Sequence, residues 1–171
     1  MISPAIVIMA SLLASDPGEV KVRSGPYVPK ATATQQEKET AQQKIDRAVL
    51  SKDLLTGVVA SIKLVPVPQG DQIRVETVVD AKELEFADRD GKSVQQLVFA
   101  VVLLDSKGEL ITGLQGLMDL ALGAETLTDF RVYGLHASLT FPRPKSDYQV
   151  RVVVREAIKN QLGAWTLAGI K

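Results

Sequence analysis

Cysteine is absent from this 171-residue chain, which excludes disulfides, thiolate metal centres and cysteine nucleophiles together. The same absence suits a reducing cytoplasm and an exported domain alike. Histidine occurs once, at His136, so no histidine-rich metal centre can be built and any imidazole base must be that residue. Net charge is also missing: 20 Lys and Arg offset 20 Asp and Glu. With no basic cluster, the electrostatic footprint of a nucleic-acid binder is lacking. No G-x-S-x-G, Walker or G-x-G-x-x-G spacing occurs, so nucleophile-elbow hydrolysis and phosphate cradling have no sequence support. The opening apolar run, Ala5 to Ala14, is too short to span a bilayer.

What is present reads as one domain with appendages, long enough to close a core without staples. The run from Ala5 has signal-peptide length but no Lys or Arg before it. It reads as an export signal, as a buried strand or helix, or as the remnant of a longer chain cut upstream. "EVKVRSGPYVPKA" is a short alternating strand (Val20, Val22) that ends in Gly25, Pro26 and Pro29 and reads as a linker, within an apolar segment and linker over residues 1–32. A helix is expected over 33–51. Thr34 and Glu37 have capping-box spacing, and Ala41, Ile45, Ala48 and Val49 form one narrow apolar stripe. So thin a stripe suggests a solvated connecting helix that docks on the rim of something larger.

From Val58 the period changes to two. Val58, Ala60, Ile62 and Leu64 share one face, and "IRVETVV" repeats the pattern with Arg74 and Glu76 outward. Asp90-Gly91 is a hairpin-turn signal. "LVFAVVLLD", Leu97 to Asp105, is apolar without a break, as in a central strand covered on both faces or covered by the helix on its second side. "QGLMDLALGAETLTDFRVYG" fits a strand with a long loop or a short helix equally well. In "YQVRVVVREAIKNQLGAW", Tyr148, Val150, Val152 and Val154 share one face, and Gln149, Arg151, Val153 and Arg155 share the other. Burying the first set contributes on the order of 6 kcal/mol at most. The arginines then need only be solvated. "AIKNQ" supplies a turn into Leu162–Leu167, with Gly163 a weak point, a bulge or an uncovered edge able to pair with another chain. The fold class is therefore mostly β: an immunoglobulin-like antiparallel β-sandwich of about seven strands over 57–171, with one N-terminal helix.

Each chemical candidate has a plainer structural reading. His136 alternates with Ser138 and Thr140, a solvent-side strand position. Asp88, Asp90 and Gly91 make a turn better than a calcium loop, because the distal glutamate is not at its offset. Glu83 and Glu85 share a strand face, where solvation is the ordinary outcome, and Trp165 and Tyr148 more often seal a sandwich edge than form a ligand platform. No catalytic, metal-binding or cofactor-binding residues are assigned, and no enzyme is expected. The loops around "FRVYG" and "PRPKSD" carry Arg131, Tyr133, Arg143 and Lys145, which could converge on a carbohydrate or peptide.

The order of these pieces is itself informative. "VKVRSGPYVPKA", a polar helix, "LVFAVVLLDSKGEL" and finally "DYQVRVVVREAIKNQLGAW" resemble, over Val20 to Leu167, the C-terminal region of the bacterial von Willebrand factor A (VWFA)-related family. There the A domain ends in a basic strand and a Gly-Tyr exit segment, and a β-sandwich follows, closing with a Tyr-x-x-Arg strand. Two departures limit the carry-over. The Asp-x-Ser-x-Ser metal-ion-dependent adhesion motif is absent, so neither metal nor its ligand binding transfers, and Pro26 intervenes between Gly25 and Tyr27. The resemblance implies the sandwich half of an exported protein, periplasmic or extracellular, with an adjacent A domain or a protein as partner.

Overall fold

A computed structural model describes residues 6–7, 19–29, 40–68 and 70–170. In chain order the strands and helices are β1 (Ile6–Val7), β2 (Glu19–Pro26), α1 (Ala41–Leu50), β3 (Leu55–Thr56), β4 (Ala60–Val67), β5 (Gln72–Val79), β6 (Ala87–Arg89) and β7 (Lys92–Asp105). There follow β8 (Leu110–Leu122), α2 (Ala124–Tyr133), β9 (Leu135–Pro142), β10 (Tyr148–Glu156) and β11 (Leu162–Ala168). Two antiparallel sheets result. The smaller is ordered β1-β9-β5-β4, and the larger β2-β8-β7-β10-β11-β3, with β6 paired to β7. Apart from β1, β2, β3 and β6, the strands β4-β5-β9 face β8-β7-β10-β11, and among these strands the chain changes sheet after β5, β8 and β9. This is an immunoglobulin-like sandwich.

The period-two faces meet as expected. Ile73, Val75 and Val79, with Leu135, Leu139 and Phe141, pack from the smaller sheet against Leu97, Phe99, Val101 and Leu103, and against Val150, Val152 and Val154. The Asp90-Gly91 turn has φ of 54° and 74°, the left-handed pair that closes a tight hairpin. Residues 83–86, by contrast, form no strand, so Glu83 and Glu85 do not share a sheet face.

A second apolar cluster lies on the far side of the larger sheet. Val98, Ala100 and Val102 of β7, Val153 of β10 and Ala164 of β11 pack against Ile45, Ala48 and Val49 of α1, with Tyr27 beside them. The unbroken apolar run of β7 is thus explained by cover on both faces. The helix itself departs from expectation. It begins at Thr40, whose hydroxyl accepts from Gln43 N while the Gln43 side chain accepts from Thr40 N, a complete capping box. The Thr34–Glu37 spacing lies outside the described residues. The stripe docks as expected, with Ile45, Ala48 and Val49 buried and Ala41 exposed, but α1 is a covering layer on the sheet and not a solvated connector.

Three further corrections follow. The short strand expected at Val20 and Val22 is present, but as part of the sheet and not as a linker: Glu19–Pro26 pairs along its whole length with Leu114–Ala121 as an edge strand of the larger sheet. Pro26 is tolerated there because an edge residue has one side free of ladder bonds. Gly163 is neither bulge nor open edge, since it pairs with Val154 on one side and Thr56 on the other. Arg151 is not solvated but 1% exposed. The sequence "QGLMDLALGAETLTDFRVYG" resolves as both alternatives in turn, the end of β8 and then α2.

Candidate functional site

Buried charge is the first place to look for chemistry. Arg151 projects from β10 toward α1. Its Nε and Nη2 donate to Ala48 O at 3.0 and 2.8 Å, Nη2 also donates to Asp53 O at 2.7 Å, and Nη1 donates to Thr166 Oγ1 at 2.9 Å. Burial lowers its pKa, and the nearby Asp53 charge opposes that shift. Glu156, 2% exposed, ends the same strand. It accepts from Lys159 N at 3.1 Å, Gln161 N at 2.9 Å and Gln95 Nε2 at 3.0 Å, so the carboxylate shapes the β10–β11 turn. Asp46 of α1 accepts from the Tyr27 hydroxyl at 2.8 Å and from Gln42 Nε2 at 2.9 Å. Burial first, then the hydrogen bond to Asp46 and its charge, push the Tyr27 pKa well above the ordinary tyrosine value.

Two hollows on the surface gather further polar residues. One, about 750 Å³, lies at the sandwich end where the β4–β5, β7–β8 and β9–β10 turns gather, lined by Asp71, Ser106, Arg143, Lys145, Tyr148 and Gly169 among others. Arg143 Nε and Nη2 each lie 2.7 Å from Asp71 Oδ1, and the Tyr148 hydroxyl donates to Ile170 O at 3.1 Å. Burial raises the Tyr148 pKa. The other hollow, about 790 Å³, sits on the outer face of the smaller sheet beneath the end of α2. Arg74 and Glu76 of β5, His136 and Ser138 of β9, and Asp129 and Tyr133 of α2 line it.

Local structure explains that second hollow. Thr126, Phe130 and Tyr133 fall on one helical face. The first two are buried, Phe130 in the main core, whereas Tyr133 is 72% exposed. Gly134 follows with φ of 76°, and a Cβ there would lie 2.7 Å from Val78 Cγ1 and 3.0 Å from Val79 O. Only glycine lets the chain pass so close over β5 in that conformation. His136 Nε2 is 3.1 Å from Tyr133 O; since a carbonyl only accepts, Nε2 carries the proton in this contact. Arg74 Nε lies 3.0 Å from Glu76 Oε1, within ion-pair reach though not aligned as a hydrogen bond.

The four residues expected to converge do not. Arg143 and Lys145 line the end hollow, Tyr133 lines the sheet-face hollow, and Arg131 is exposed and lines neither. The eight residues of β9 separate the two groups by about 25 Å. Sequence alternation did place Arg74 and Glu76 outward and His136 with Ser138 and Thr140. Their common site depends on β5 pairing with β9, Glu76 opposite Ser138 and Arg74 opposite Thr140, across some 60 residues of chain. Among the described residues no cluster of His, Asp or Glu could hold a metal ion, and no helix is long and apolar enough to cross a membrane. No family model, curated protein or solved structure matches this chain.

Proposed function

We propose that this chain is a non-enzymatic, immunoglobulin-like interaction or spacer module, the sandwich half of an exported VWFA-related protein, working beside an A domain or a protein partner in the periplasm or outside the cell. The observation that carries the reading is the use made of buried charge. Arg151 and Glu156 are occupied by backbone groups of their own fold, tying α1 to β10 and closing the β10–β11 turn. A catalytic group needs an atom left over for substrate, whereas a rigid spacer needs its elements locked together. Reading the genomic DNA in frame upstream of Met1 tests the family part. An A domain carrying Asp-x-Ser-x-Ser supports it, and an in-frame stop codon beside a promoter counts against it.

A second reading, a ligand-binding sandwich, is favoured by one observation. The centre of the larger sheet, β7, β10 and β11, is covered on its second face by α1, while the outer face of the smaller sheet holds an open hollow with an exposed aromatic at its rim. A glycan and peptide array at moderate salt that returns no binder counts against this reading and leaves the spacer role.

A further inference from the structure

We propose that the hollow between α2 and the open face of the smaller sheet binds an uncharged saccharide, with Tyr133 as the stacking platform. This rests on the ligand-binding reading and names its ligand class. Charge balance is the first argument. The lining carries one guanidinium, Arg74, and two carboxylates, Glu76 and Asp129. An anionic ligand meets the carboxylates and a cationic one meets Arg74, whereas a neutral polyol meets both without an unpaired charge. Hydrogen-bonding capacity is the second. Ser138 offers a hydroxyl, Glu76 accepts, Arg74 donates, and the His136 ring, with Nε2 engaged by Tyr133 O, has its second nitrogen for a further hydrogen bond. Vicinal hydroxyls, each donor and acceptor at once, match such a mixed floor.

Shape is the third argument. Aromatic rings present an apolar face to the C–H side of a pyranose while their polar edge stays wet, and of the two aromatic residues lining this hollow Phe130 is buried and Tyr133 exposed. The Tyr133 backbone is held from both sides: Phe130 anchors the helix in the core, and Gly134 packs the following chain against Val78 and Val79. Little backbone ordering is then left to occur on binding. The volume, about 790 Å³, falls in the range of small-ligand sites. An extended peptide is a poorer occupant, because strand addition needs free backbone and the floor here is the side-chain face of β5 and β9, already paired to each other.

The test is an array of neutral glycans, acidic glycans and peptides. The strongest neutral hit is then titrated into the isotope-labelled full chain and into Tyr133→Ala, Glu76→Gln and Lys145→Ala. Tyr133, Glu76 and Lys145 lie on the surface, and thermal melts confirm that each variant folds. The expected result is a neutral oligosaccharide that shifts amides over 74–76 and 129–138, is weakened about tenfold by Tyr133→Ala, and is indifferent to Lys145→Ala. A neutral hit that is lost with Lys145→Ala and keeps its affinity in Tyr133→Ala overturns the site while leaving a ligand-binding domain. Hits confined to acidic glycans or peptides overturn the ligand class. A silent array overturns the proposal together with the reading beneath it.

Discussion

The Arg151 guanidinium and the Ala48 carbonyl join the middle of the sandwich to the last turn of the helix that covers it, through two hydrogen bonds of 3.0 and 2.8 Å. Ala48 O is one of the carbonyls a helix leaves without an internal partner at its C-terminus, where the helix dipole also favours a cation. One planar group thus satisfies α1, Asp53 O and Thr166. Replacing it with Ala strands the buried Ala48 O, while Asp53 O and Thr166 stay within reach of water, so Arg151→Ala should cost about 2 to 3 kcal/mol. Arg151→Lys should recover only part of that, since an ammonium lacks the fork. Urea unfolding midpoints measure both, and an Arg151→Ala loss under about 1 kcal/mol would disprove the clamp.

Glu156 plays the corresponding part at the turn between β10 and β11. Glu156→Gln keeps the size but presents an amide N–H where the backbone N–H groups of Lys159 and Gln161 and the Gln95 side chain converge. Two donors then face each other, and a loss of about 1 to 3 kcal/mol is expected. Amide exchange over 157–161 should speed up before the rest of the sheet is affected.

Tyr27 supplies a pH dependence whose sign is fixed. Its pKa is raised in the folded state, chiefly by burial, so above the ordinary tyrosine value of about 10 the unfolded chain sheds a proton that the folded chain retains. The unfolded state then binds fewer protons, and stability falls as pH rises. The contribution is complete below pH 10 and is lost above it. Tyr27→Phe should lower stability at neutral pH, because Asp46 loses a donor, yet flatten the decline on the alkaline side. Melting temperatures of both proteins from pH 8 to 11.5 test this.

Gly163 and Trp165 make the fourth test. A Cβ at 163 would overlap the Trp165 ring and come 2.6 Å from Val58 O. The ring therefore folds back over a position where only hydrogen fits. Gly163→Ala should destabilise by about 1 to 3 kcal/mol through overpacking. Trp165 is the single tryptophan of the chain, so its emission should move to the red as the ring is displaced. An unshifted spectrum with unchanged stability would contradict the packing described.

Much of the sandwich was legible because its information is local. Alternation from Val58 onward, the Asp90-Gly91 pair and the "AIKNQ" turn each act over a few residues, and the inner faces of β5, β9 and β10 are those the period implies. The arginines of β10 show where that reasoning stops. Gln149, Arg151, Val153 and Arg155 form the outward face by period, and they do face away from the main core; what covers that face comes from α1, about a hundred residues earlier. A charge inside a valine run was the available signal that the second face was also dry. The sheet-face hollow likewise needed β5 beside β9 and a helix end above them, neither of which any short window contains.

By itself the sequence determined most of the sandwich strands, their inward faces and several turns between them, since side-chain period and positive-φ turn chemistry are settled by near neighbours. Tertiary structure alone decided that α1 is a covering layer, that the strand at Glu19–Pro26 pairs at the edge of the larger sheet, that Arg151 is a buried clamp, and that Tyr133 stands apart from Arg143. Those outcomes depend on which distant surfaces exclude water from each other, and that is fixed only once the whole chain has closed.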